Sequence, residues 1–131
     1  MKAILILMVI IFTSCEKEPQ ANKVEYKVYT DVPIGIKQQG EIDDVMTSTN
    51  WSREFIYTGT ITQSPDLGLQ AYRNYDISCD NNDTPYNEKE GFITTEIWFE
   101  GELVCTNTIF VPTYANSDGL YLVSECEYDI E

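Results

Sequence analysis

Two residue types in this chain could do chemistry, the cysteine thiols and the carboxylates. The thiols are Cys15, Cys79, Cys105 and Cys126. Thiols can be acylated, oxidised to disulfides or used as metal ligands. No pair has C-x-x-C spacing, so neither a zinc knuckle nor a thioredoxin-type redox motif is supported. Histidine is absent. This excludes imidazole acid–base catalysis and any His-ligated metal. Ser52, Ser64 and Ser78 therefore lack the usual base, and no G-x-S-x-G occurs.

The carboxylates number 22. Glycoside hydrolysis needs two of them roughly 5–9.5 Å apart in a cleft. With so many acids some pair at that distance is expected, so the signal is empty. Asp76, Asp80, Asp83, Glu88 and Glu90 crowd one stretch, with Asn81 and Asn82 among them. Calcium takes oxygen ligands of this kind, yet the spacing is not that of an EF-hand. A solvated loop is the expected reading, with no metal and no cofactor. The expectation is a protein without catalytic residues.

Cys105 and Cys126 stand out by parity. Leu120, Leu122, Ser124, Cys126 and Tyr128 fall on one face of an extended strand, and Leu103 shares parity with Cys105. If the leucines point inward, both cysteines do too. A Cys105–Cys126 disulfide would close about 20 intervening residues and contribute ~3 kcal/mol. Pairing of either with Cys79 stays open, as do two small buried thiols. Trp98 has the opposite parity to Ile97. It would lie beside Tyr121 if those two strands paired, and the two aromatics are the candidate ligand contacts.

The remaining thiol, Cys15, closes an apolar segment. Lys2 precedes ten apolar residues, Ala3 to Phe12, and then Thr13-Ser14-Cys15. Ten helical residues extend roughly 15 Å, against the ~30 Å of a bilayer core. The segment has the features of a signal peptide. Phe12-Thr13-Ser14-Cys15 resembles the lipobox of bacterial lipoproteins, with Phe12 where leucine is usual. The resemblance implies cleavage before Cys15 and acylation of Cys15 by diacylglycerol and palmitate-type chains. Two or three chains anchor durably where one does not. Residues 1–14 are thus expected to be a signal peptide, and 15–22 a lipidated cysteine and flexible tether. Residues 23–131 would be the folded domain. Glu16-Lys17-Glu18 is also similar to the export signal of surface lipoproteins in Bacteroidota, and equally fits a solvated linker.

Beyond Val24 the apolar period is two. "VEYKVYTDV", "IGIKQ", "WSREFIY", "LGLQAYRNY", "FITTEIWF", "ELVCTN" and "LYLVSECEY" read as strands. Glu100-Gly101 reads as a hairpin turn, with glycine supplying positive φ. Nine tyrosines and many β-branched residues suit pleated, half-buried faces. The prediction is all-β, an immunoglobulin-like antiparallel sandwich of about seven strands.

Lys and Arg total 8 against the 22 acids, a net charge of −14. Such a field repels nucleic acid and anionic headgroups, so any membrane attachment rests on the lipid. "NWSREF", "LGLQAY" and "TTEIWFEGELV" together resemble a small sandwich family of bacterial envelopes. It includes the mycobacterial membrane protein small (MmpS) family and many short Bacteroidota lipoproteins. Trp51 would match the family's Pro-Trp pair, with Asn50 in place of the proline. The resemblance implies an N-terminally anchored immunoglobulin-like domain over residues 24–126. Actinobacterial members accompany lipid-exporting transporters, a role that depends on a partner and is not carried over. The expected function is an outer-membrane or surface binding module contacting an envelope protein or polysaccharide. The alternative is an inhibitor or immunity-type lipoprotein that neutralises a toxin or hydrolase.

Overall fold

Alternating apolar and polar residues put one side of each strand into a shared core. The computed structural model describes residues 21–59, 65–73, 89–113 and 122–130. Its elements are β1 (Lys23–Thr30), β2 (Ile34–Gln38), β3 (Val45–Thr47), β4 (Trp51–Ile56), β5 (Leu67–Arg73), β6 (Gly91–Phe99), β7 (Glu102–Val111) and β8 (Val123–Tyr128). They form two four-stranded antiparallel sheets, ordered β4-β1-β6-β7 (sheet A) and β3-β2-β5-β8 (sheet B). The expected sandwich is observed, with eight strands instead of seven. The added strand is β3, whose three residues lie within a polar stretch and carry only the Val45-Met46 pair as an apolar signal. β7 also runs on to Val111, four residues beyond the expected Asn107.

Five strands follow the immunoglobulin order. β1 and β4 are neighbours as B and E are, and β2-β5-β8 run as C-F-G do. The β6–β7 hairpin occupies the side of β1 where strand A would lie. Its two-residue turn, Glu100-Gly101, has φ of 52° and 83°. Positive φ at both positions matches the twist of the flanking strands.

The core alternates as the strands do. Val24, Tyr26 and Val28 of β1 meet Ile34 and Ile36 of β2, Leu67, Leu69 and Ala71 of β5, and Ile93 and Ile97 of β6. Polar groups tie the sheets to each other among the described residues. The Tyr26 hydroxyl accepts from the Gly68 amide (3.2 Å). Buried Thr95 and Ser124 share a 2.9 Å hydrogen bond. Ser124 Oγ donates to the Asn107 carbonyl (2.8 Å), so Thr95 is the donor of that pair. Arg53 closes the β4 edge, reaching Gln38 (2.6 Å) and Glu41 (2.7 Å). At the opposite edge a disulfide joins Cys105 of β7 to Cys126 of β8, with Cα atoms 5.7 Å apart.

The disulfide matches the expectation, but one of its premises fails. Leu103 points outward, 45% exposed, while Cys105 faces in. The register slips between Ile97 and Trp98, whose partners are Cys105 and Leu103. Val104 is therefore the extra residue of a β-bulge, and it switches the face of everything that follows.

Candidate binding surface

The outer face of sheet A is built in rows across four strands. Glu54, Glu25, Trp98 and Leu103 form one row, and Ser52, Lys27, Glu96 and Thr106 the next. Tyr29, Thr94 and Thr108 follow, and then Phe92 with Phe110. One half of the face is ionic. Lys23 bridges Glu25 (3.2 Å) and Glu54 (3.6 Å), and Lys27 reaches Glu25 (3.6 Å). The hydrogen bond that the Lys23 ammonium donates to Glu25 holds it above its ordinary pKa. These pairs are solvent-facing and contribute little to stability.

In the other half the paired strand residues Tyr29, Thr94, Thr108, Phe92 and Phe110 are uncharged. Thr94 and Thr108 hydroxyls meet at 2.8 Å. Phe92 and Phe110 are 56% and 50% exposed and stack edge-to-face with centroids 5.4 Å apart. Phe92 is held by the turn that precedes β2. Its amide donates to Asp31 Oδ1 (2.9 Å). At Gly91, the first residue of β6, a Cβ would run into that carboxylate, so the close approach requires glycine.

Trp98 lies on this face, half-buried, but its groups are already engaged. The indole N–H donates to Glu96 Oε2 (2.8 Å), and Lys27 Nζ sits 4.9 Å from the ring centroid. The strand pairing on which a Trp98–Tyr121 contact depends is not observed. β6 pairs with β1 and β7 in sheet A, whereas β8 pairs with β5 in sheet B. Tyr121 itself lies outside the described residues, as do Cys15, Cys79, Asp76, Asp80, Asp83 and Glu88. Among the described residues the exposed aromatics are Phe92, Phe110 and Tyr29, all on this face, and the two phenylalanines are the most exposed. Strand parity already put Phe92 beside Trp98, but residue type drew attention to the tryptophan alone.

Sheet B offers a different surface. A groove of about 400 Å³ is lined by Lys37, Glu41, Asp44, Gln70, Glu125 and Glu127, among others. Gln70 Nε2 donates to Glu125 Oε1 (2.9 Å). The hydrogen bond with Glu125 raises the Glu127 carboxyl above the usual range, with burial and the charges of Glu125 and Asp129 adding to it. No group of three or more acidic or cysteine side chains among the described residues is arranged to hold a metal ion.

Compared with protein-family models, curated proteins and solved structures, the chain gives no significant match.

Proposed function

We propose that this chain is a non-catalytic binding module of the bacterial envelope, held at the outer membrane by fatty acids on Cys15. The observation that carries the binding role is the Phe92–Phe110 pair. Two large apolar rings stand exposed side by side, among uncharged side chains of β6 and β7, in a strongly acidic chain. Aromatic side chains in such positions are typical anchors for a protein or polysaccharide partner. The location draws support from the Cys105–Cys126 disulfide, since such bonds persist in oxidising compartments. Phe12-Thr13-Ser14-Cys15 supplies the acylation signal.

The test has two parts. Intact mass of the membrane-extracted protein should equal Cys15–Glu131 plus two or three acyl chains, and Cys15→Ala should abolish that species. An unacylated mass still including residues 1–14 would overturn the anchor. Separately, Phe92→Ser with Phe110→Ser should weaken retention on purified envelope fractions by roughly tenfold or more while the melting temperature holds. Equal retention would overturn the binding face.

A second reading, an inhibitor of a basic toxin or hydrolase, is favoured by the groove on sheet B. Glu125 and Glu127 repel each other there, and a cationic partner would relieve that repulsion. Retention by this route would weaken with salt and would survive the Phe92 and Phe110 substitutions.

A further inference from the structure

Among the described residues four strands have an open side, namely β4 and β7 of sheet A and β3 and β8 of sheet B. An open strand offers unpaired N–H and C=O groups to any other strand. Proteins blunt it by shortness, charge or proline. β3 has three residues. β4 carries Arg53 and Glu54, and β8 carries Glu125 and Glu127. β7 differs. It is ten residues long, and from Leu103 to Val111 it holds no charged residue and no proline. That is unusual for a chain in which 23% of residues are charged. The bulge at Val104 lies near its start and leaves Cys105–Val111 in regular register. Thr106, Thr108 and Phe110 point outward along that run and are exposed.

Charge indicates the occupant. A basic strand would be drawn to β8 and its glutamates. Two copies of a chain with net charge −14 repel each other, and a neutral edge is where they can meet at least cost. An antiparallel strand can also pair with itself about a two-fold axis. With a period of two, outward residues then meet outward residues, threonine against threonine or phenylalanine. We propose that two copies of this chain pair antiparallel through β7, residues Cys105–Val111, forming one continuous eight-stranded sheet. The pairing lies in the plane of sheet A, so both Phe92–Phe110 patches stay uncovered and become parts of one surface. The dimer depends neither on the lipid anchor nor on the binding role of that face.

The test uses the full chain with benzoylphenylalanine at Thr108, co-expressed with a second full-length copy bearing a different tag and irradiated in cells. The expected product carries both tags. It should be lost when Thr106→Lys is present in both copies, and it should not form from the same probe at Lys37, on the outer face of sheet B. Thr106 is exposed and registers with Glu96, so a lysine there fits the single copy and its melting curve should be unchanged. A product at another mass with one tag would mean that a different protein occupies the edge, and would overturn the proposal. So would no product, a product that survives Thr106→Lys, or equal yield from Lys37.

Discussion

Tyr26 shows how one side chain can join two sheets. Its ring fills the core at 1% exposure, edge-on to Phe55 at 5.1 Å, and its hydroxyl ends at the Gly68 amide on the other sheet. Burial pushes the phenol up to about 12, although the Gly68 amide and the Arg53 charge both pull it down. The unfolded chain titrates near the ordinary tyrosine value of ~10. Because the folded value is the higher one, the stabilisation is fully present below pH ~10 and is lost as pH rises through about 12. Tyr26→Phe should cost about 1–2 kcal/mol at neutral pH, from the orphaned Gly68 N–H. It should also flatten the alkaline loss of stability between roughly pH 10 and 12. Urea melts of both proteins across that range check it, and parallel curves would show that Tyr26 does not set the alkaline limit. Tyr57 is raised too, by burial and by its hydrogen bond to Asp66, but it is common to both proteins and drops out of the comparison.

The bulge in β7 is the feature that decides which side chains reach the disulfide. A regular hairpin about Glu100-Gly101 would set Cys105 opposite Glu96, on the outer face. The extra Val104 sets Cys105 opposite Ile97 and turns it inward. Deleting Val104 should straighten the strand, keep Leu103 out and Cys105 in, and preserve the disulfide. The expected cost is about 1–2 kcal/mol for the lost half-buried valine and local repacking. Deleting Thr106 instead moves Cys105 to the position opposite Glu96. The disulfide should then be absent, with a further loss of about 2–4 kcal/mol. Counting alkylated thiols by mass in the oxidised proteins separates the two, and a disulfide retained in both would refute the register argument. The same bulge marks the limit of what the chain reveals before it is folded. Period two made β1, β5, β6 and β8 readable, along with the sandwich, because each strand's buried face is a local property. Nothing in "ELVCTN" marks Val104 as extra, since bulges are set by pairing. β3 was missed because three residues in a polar stretch carry too few apolar positions to alternate. The candidate face was half readable. Phe92 and Trp98 share parity, but which ring stays exposed depends on Lys27, which reaches Trp98 from β1.

Over the whole molecule, covalent and polar ties work against charge. The disulfide closes one edge of the sandwich and Arg53 the other, with Tyr26–Gly68 and Thr95–Ser124 between them. Against these ties stands a net charge of −14, which destabilises any compact state by self-repulsion. Part of that repulsion falls at Glu125 and Glu127 on sheet B, where two carboxyls share one hydrogen bond. Glu127 is held above its ordinary value when folded. Its favourable contribution is therefore present below the ordinary glutamate range and is lost as pH rises through the raised folded value. Once ionised it is a repelling charge beside Glu125 and Asp129. Glu127→Gln removes that charge and still lets the side-chain amide donate to Glu125, as the protonated acid does. The variant should melt slightly higher than the parent at pH 7, and the gap should close as pH falls below the ordinary glutamate range of ~4.3. Added salt should narrow the gap at pH 7, because an exposed pair is screened. Scanning calorimetry of both proteins at two pH values and two salt concentrations supplies the comparison. A variant that melts lower at pH 7 would mean that the Glu125–Glu127 contact is a tie and not a strain.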